Sequence, residues 1–438
     1  MGKRTPRRAV VLGGGIAGLF ATRVLADQFD QVTLVDRDHL TGPNLLRRGL
    51  PQGHHLHGLL SRGQEITEEH FPGITEKMVA DGSAIGDASN DVRWIINGKR
   101  LVQTDSGLAC LTASRPFFES HIRERVLALP NVVLSELTDI SRLEVSDDGR
   151  TIRGVWVFPE GEHETLLPAD LVVDASGRGS RTPTWLEDLG YGRVPEEKHK
   201  IGMGYATRYY RIPDAAFEGD ISVNTVASAG VPRGCICQKI DGGRAIVTAY
   251  GILGDHPPTD PDGYLNFIKS LAAPDIYEIL QSAEALNDPV AYKFPTNLRR
   301  HYQLMSDFPA GFLVIGDGVA SFNPSYAQGM TVSALGSVVL RKHVADRRPV
   351  HALAYFRDLA ADAIDGCWDM AVSADLAFPG VEGERTPEIM ETHDFISRTQ
   401  DVASRDAAVS RAFQRVIGLV DHYTVLHEPE LEAKILQG

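Results

Sequence analysis

Gly13-Gly14-Gly15-Ile16-Ala17-Gly18 sets glycine at 13, 15 and 18 and so matches G-x-G-x-x-G. Those positions serve a tight turn, a close backbone approach to a pyrophosphate, and close packing of a helix on a strand. A helix starting here offers free amide donors and its positive dipole end to phosphates, with Ile16 and Ala17 in the first turn. Asp36 follows eighteen residues after Gly18, where a carboxylate can accept hydrogen bonds from ribose hydroxyls, and Arg37 stands beside it. A second polar block runs Arg47-Arg48-Gly49-Leu50-Pro51-Gln52-Gly53-His54-His55-Leu56-His57-Gly58. Its arginines can reach a pyrophosphate or ribose. No carboxylate or cysteine matches the spacing of its histidines, so they read as structural or cofactor-lining residues and no metal site is expected. The motif and its context leave FAD and NAD both open.

The elements around these residues are legible. Ala9–Leu12 reads as a buried strand, Leu19–Leu25 as a helix and Val32–Val35 as the next strand, a strand–turn–helix–strand unit. Leu171–Asp174 is another apolar strand, running into Ala175-Ser176-Gly177-Arg178-Gly179-Ser180-Arg181. Phe312–Ile315 is a third, ending in Gly316-Asp317 and continuing through Asn323-Pro324-Ser325-Tyr326-Ala327-Gln328-Gly329-Met330-Thr331 into a helix. Between these motifs Tyr205–Tyr210, Ile221–Val226, Gly234–Ile240 and Arg244–Tyr250 alternate as antiparallel strands do, and residues 91–102 read as a hairpin about Asn97-Gly98. From about 350 the periodicity is helical, through Leu353, Tyr355, Phe356, Leu359, Ala363 and Ile364, with a second run over Val402–Leu419. That tail suits a helical cap or a homo-oligomer face equally well.

With these segments in place, the chain resembles the single-component FAD-dependent monooxygenases of the para-hydroxybenzoate-hydroxylase type. Their marks are G-x-G-x-x-G, an Asp-Gly motif and a Gly-Asp motif in this order. Within that group it is most similar to bacterial polyketide-tailoring flavoproteins, the polyether epoxidases among them. Those share the Arg-Arg-Gly-x-Pro-Gln-x-x-His-x-His block, a Ser-Arg-Pro helix start like Ser114-Arg115-Pro116, and the Ser321–Thr331 run. The resemblance covers about residues 8 to 345 and continues more weakly to the end.

It implies non-covalent FAD, with NAD(P)H as a transient reductant. Gly13, Gly15, Gly18 and Asp36 would hold the adenosine diphosphate half. Arg48, with Arg47, would contact the pyrophosphate or ribityl region, Arg115 would line the cleft, and Gly316-Asp317 would bind the ribityl chain. A helix beginning at Gln328-Gly329-Met330 would aim its positive end at the flavin ring, where reduced flavin is anionic. The implied fold is α/β: a Rossmann-type FAD-binding domain (1–90, 111–190, 290–345), an antiparallel-sheet substrate domain (91–110, 191–289) and a C-terminal helical region (346–438). Candidate pocket residues are Tyr205, Tyr209, Tyr250, Phe294 and Pro324. The implied reaction moves one oxygen atom from a flavin C4a-hydroperoxide to a small apolar substrate, by epoxidation or hydroxylation, using O2. No catalytic side chain is singled out: no Ser-His-Asp order or acid pair emerges, and the flavin is itself the reactive group. The chain departs from the family at Ser176 before Gly177, in the region that contacts NAD(P)H. It departs again at Ala320 and at Ala327, where histidine and glycine are common.

The 438 residues suffice for two or three domains, and 43% hydrophobic with 23% charged residues is a globular balance. The charge, 44 − 58 = −14, argues against nucleic acid or an anionic membrane surface as partner. Lys3–Arg8 reads as a solvated basic terminus. The run Ala9–Phe20 is too short for a membrane span, and a cytoplasmic location is expected. Cys110 and Cys367 stand alone, and Cys235-Ile236-Cys237 is too tight for a zinc knuckle; its thiols are read as packing residues on opposite faces of a strand. Two rivals remain: a reductase or dehydrogenase acting on an isoprenoid or polyketide double bond, and a non-catalytic FAD-binding protein. A flavin halogenase is disfavoured because the Trp-x-Trp-x-Ile-Pro run is missing; Trp94, Trp156, Trp185 and Trp368 stand apart.

Overall fold

A strand apolar on both faces belongs in the middle of a covered parallel sheet, and Ala9–Leu12 is buried throughout. The computed structural model describes residues 6–42, 46–345 and 349–438, so Lys3 to Thr5 of the basic terminus lie outside the described residues. The strand Arg8–Leu12 centres a five-stranded parallel sheet in the order Phe312–Val314, Leu171–Asp174, Arg8–Leu12, Gln31–Val35, Val132–Ser135. The register is level: Leu12 pairs with Asp174 and Val35, and Asp174 with Val314. The glycine turn, Asp36, the Ala175 turn and Gly316-Asp317 therefore leave the same sheet edge side by side. Ligands of open α/β sheets bind at this carboxyl edge.

The second large sheet has nine strands among the described residues. Its spine is Glu196–Arg211, flanked by Val290–Arg300 and Arg244–Gly251, with Arg233–Ile240 and Ser222–Thr225 following. The hairpin of Val92–Ile96 and Lys99–Arg100 turns at Asn97 (φ 51°) and Gly98 (φ 73°), the positive pair a tight two-residue turn demands. It joins through a parallel pairing with Ser222–Thr225, so the sheet is antiparallel except at that seam.

One face packs Ala206, Tyr210, Cys235, Cys237 and Val247 against Tyr264, Phe267 and Ile276 from the helices Pro261–Lys269 and Asp275–Leu280. Cys235 and Cys237 share that face, because side chains two apart in a strand point the same way. Their packing role stands, but the opposite-face expectation does not.

The C-terminal helices cover two surfaces. Tyr355, Phe356, Leu359 and Trp368 extend the core of the parallel sheet. Val402, Val409, Phe413 and Leu426 close a smaller core over Ile96 and Leu101. The helical run expected over Val402–Leu419 is two helices, Pro387–Ala403 and Ala407–Ile417. Asp406 breaks it, its carboxylate accepting from the amides of Ala408 (2.9 Å) and Val409 (3.0 Å), a helix start that apolar spacing alone hides. No described helix is long and apolar enough to cross a membrane.

Candidate active site

At Gly13 and Gly18 the turn has no room for side chains, whereas Gly15 is open. A Cβ on Gly13 (φ +105°) would sit 2.6 Å from the Ala175 carbonyl oxygen, and one on Gly18 would sit 1.8 Å from that of Gly13. Gly15 caps the helix Ile16–Ala26 without a side-chain acceptor, leaving the first amides free. Asp36 is buried and accepts from Gly14 N (2.6 Å), Asp38 N (2.8 Å) and Arg47 Nη1 (3.1 Å).

Arg47 also donates to Glu119 at 2.6 Å, and Glu119 receives Arg115 Nε at 3.1 Å and Arg123 at 3.3 Å. Glu119 comes from the helix Arg115–Leu127, which Ser114 caps. Burial pulls the Arg115 and Arg123 guanidinium groups below their ordinary range, with Glu119 pulling the other way. The Nε of Arg47 is buried without a partner among the described residues. Arg47 therefore enters the cleft, whereas Arg48 and Arg37 are exposed.

The Gly-Asp motif closes against this turn. Gly316 (φ +67°) faces Ala17 so closely that a Cβ would lie 2.6 Å from the alanine methyl. Asp317 makes no hydrogen bond to a described residue; burial raises its carboxyl above the usual range, while Arg115 and Arg178 pull it down. Ala327 is left-handed (φ +55°), a conformation that favours glycine. Its methyl fills the space over Gly58, where a Cβ would meet it at 2.7 Å. The glycine absent at 327 thus has its complement at 58. The helix Gln328–Val344 starts at Ala327 with no side-chain cap; among the described residues the amides of its first turn, at Gln328, Gly329 and Met330, are free, and the Gln328 Oε1 is buried without a partner.

The bare glycine cradle, the unpaired Arg47 Nε, the uncommitted Asp317 carboxylate and the open helix start fit a flavin dinucleotide. They supply donors for phosphates and an acceptor for hydroxyls.

Facing this cleft, the second sheet presents Met203, Tyr205, Thr207 and Tyr209 from one strand. Tyr205 is in register with Tyr292 and Tyr250 on its neighbours, and Met203 with Phe294. All four aromatic pocket candidates thus share one face. Tyr209 donates to the His54 carbonyl (3.0 Å), and Tyr250 accepts from Ala227 N (3.1 Å). Phe294 lies under Arg178, 4.9 Å from its ring centre. Pro324 is exposed rather than part of the face. A cavity of about 170 Å³ lies between Tyr209, His54, Arg244 and the start of the Arg115–Leu127 helix. The apolar side chains of Leu376, Phe378 and Val381 pack with Tyr205 and Tyr250, which brings the C-terminal region to this face.

Three residues here are not singled out by the sequence. Arg178, bonded to Ser321 Oγ (2.9 Å) and Thr296 O (2.7 Å), lies within the quoted Asp-Gly segment. His55 belongs to the histidine block and reaches Thr207 Oγ1 at 2.8 Å. Asp375, 1% exposed, accepts from Asn297 (2.6 Å), Asn323 (2.7 Å) and Tyr326 (2.8 Å) and has no sequence signal at all.

No protein-family model matches the chain. Protein Rv3254 of Mycobacterium tuberculosis is 31% identical over 432 residues, covering 94% of this chain and 90% of that protein. Among solved structures, p-nitrophenol 4-monooxygenase PnpA from Pseudomonas putida superposes with a TM-score of 0.67 at 13% identity, covering 96% of this chain and 100% of that one. A flavoprotein/dehydrogenase from Cytophaga hutchinsonii superposes with a TM-score of 0.63 at 13% identity, covering 98% of each chain. The chain belongs to the same family as protein Rv3254, and its fold is that of the single-component, para-hydroxybenzoate-hydroxylase-type FAD-dependent monooxygenases.

Proposed function

We propose that this protein is an FAD-dependent monooxygenase that inserts one atom of O2 into a small, largely apolar molecule, with NAD(P)H as reductant. One observation carries the reading: a cleft fitted to a flavin dinucleotide opens onto an aromatic sheet face that the C-terminal segment covers. Bound FAD supplies electron transfer from NAD(P)H and the activation of oxygen. The chain supplies the rest. Arg47 and the Ile16–Ala26 helix start bind the pyrophosphate, Asp36 the ribose and Asp317 the ribityl hydroxyls. The first amides of Gln328–Val344 would stabilise negative charge on a bound flavin. Tyr205, Tyr250, Phe294, Leu376 and Phe378 exclude water and hold the substrate. This reading divides the chain into an FAD-binding domain (1–90, 111–190, 290–345), a substrate domain (91–110, 191–289) and a C-terminal region (346–438). Oxygen transfer to an alkene or an aromatic ring of a polyketide- or terpenoid-like substrate agrees with that lining.

The test is an absorbance time course after the anaerobically reduced protein meets oxygenated buffer. A transient species distinct from reduced and oxidised flavin is expected. Direct return to oxidised flavin, with alkene and phenol probes present, favours a reductase of a double bond. Failure to take up FAD overturns the reading.

A further inference from the structure

On the aromatic face one buried nitrogen is left without a partner among the described residues. His55 is 1% exposed, and its Nε2 has no hydrogen-bond partner among the described residues. Its ring stands edge-on to Tyr205 at 4.7 Å and lies 5.8 Å from Tyr292. Neither tyrosine hydroxyl bonds a described residue, although Tyr205 is 6% exposed.

The state of the histidine follows from its other nitrogen. Leu56 N donates to Thr248 Oγ1 (3.3 Å), which lies 2.7 Å from Thr207 Oγ1, which lies 2.8 Å from His55 Nδ1. Neither threonine has another acceptor for its proton among the described residues. Both protons are used only if the chain runs Leu56, Thr248, Thr207, His55, which makes Nδ1 an acceptor and puts the ring proton on Nε2. Burial, with the nearby His54, holds the ring neutral by lowering its pKa to about 4. A buried N–H donor with no acceptor is costly, and such a group calls for a ligand or a water.

We propose that the substrate of this site carries a carbonyl oxygen that accepts a hydrogen bond from His55 Nε2 between the rings of Tyr205 and Tyr292. The inference rests on the monooxygenase reading for what happens to that substrate, and it makes the substrate polar at one point. Nε2 is closed in this structure, and Tyr292 is the more exposed of the two rings that enclose it.

The test uses the full chain loaded with FAD and two isosteric probes, 1-tetralone and 1-methylidenetetralin, which differ only in C=O against C=CH2. Dissociation constants come from perturbation of the oxidised flavin spectrum. No reductant is present, so the outcome is independent of the oxygen chemistry. The ketone should bind wild type about tenfold more tightly, the ratio one such hydrogen bond gives. His55→Phe should erase that preference, and His55→Gln, which keeps a donor near the Nε2 position, should retain it. Equal affinity of wild type for the two probes means that water satisfies Nε2 and overturns the proposal, as does a preference surviving in His55→Phe. A second readout needs no variant. In the chain labelled with ¹⁵N-histidine at pH 7, 1-tetralone should shift one protonated Nε2 resonance that the alkene leaves in place. No such shift also overturns it.

Discussion

Asp317 and Ala327 show how single side chains shape the cleft proposed to hold FAD. A carboxylate with two arginines nearby and no hydrogen-bond donor among the described residues is poised to accept from hydroxyl groups. Asp317→Ala should weaken FAD binding by roughly 10- to 100-fold, the range for losing about 1.5–3 kcal/mol in a charged hydrogen bond. Flavin fluorescence titration measures this, and an unchanged dissociation constant would remove Asp317 from the site. Ala327 carries left-handed strain of about 1–2 kcal/mol, and its methyl occupies the space above Gly58. Ala327→Gly should leave the unfolding midpoint unchanged or raised, because relief of strain opposes the greater freedom of the unfolded chain. Gly58→Ala should lower it, since its added methyl meets that of Ala327.

At the scale of elements, the site exists because level strand ends deliver three motifs to one edge, where they touch without side chains between them. Gly316→Ala would wedge the Gly-Asp turn away from the Ile16–Ala26 helix, with a Cβ 2.6 Å from the Ala17 methyl. A loss of about 1–3 kcal/mol of stability is expected, read from urea midpoints, together with weaker FAD retention. The helix Asp365–Leu376 reaches the site by another route, through Asp375. Its carboxylate ties the strand Val290–Arg300 and the loop entering the Gln328 helix to the C-terminal region. Asp375→Ala orphans three donors in a dry setting and should cost about 3 kcal/mol or more. If urea unfolding is unmoved, the network does not hold the loop.

The molecule as a whole should be acid-sensitive well above the carboxylate range. Burial lowers His55 and His70 to about 4 and His57 to about 3, all from 6.5. Most nearby charges act in the same direction, His54 on His55, Arg115 on His57, and Arg341 with Arg23 on His70, while Asp27 opposes on His70 and the hydrogen bond to the His55 carbonyl opposes on His57. The native state refuses protons that the unfolded chain accepts once pH falls below 6.5. The stability held by the neutral rings is therefore complete above 6.5 and is lost progressively between 6.5 and about 3. Three such groups give a slope of at most about 4 kcal/mol per pH unit. Urea midpoints at pH 8, 7, 6 and 5 should stay level at first and then fall; a flat profile from 7 to 5 would mean that these rings are not buried neutral.

Local signals in the sequence determined where the strands and glycine turns of the first sheet lie. Glycine spacing, an apolar strand ahead of each motif and Asp36 at a strand end are short-range features, and the physics of a phosphate-binding turn acts over the same few residues. The aromatic face was legible in part, since period-two alternation put Tyr205 and Tyr209 on one side of a strand. Tertiary structure alone decided which arginine enters the cleft, because Arg47 and Arg48 are adjacent and only packing against Glu119, 72 residues away, separates them. It alone placed Leu376, Phe378 and Asp375 at the site, where a helical tail reads the same whether it caps a pocket or meets a partner. It also set the contact of His55 Nδ1, which depends on two threonines from different strands of the other sheet. These choices are made by contacts between residues distant in the chain, and no local pattern encodes such contacts.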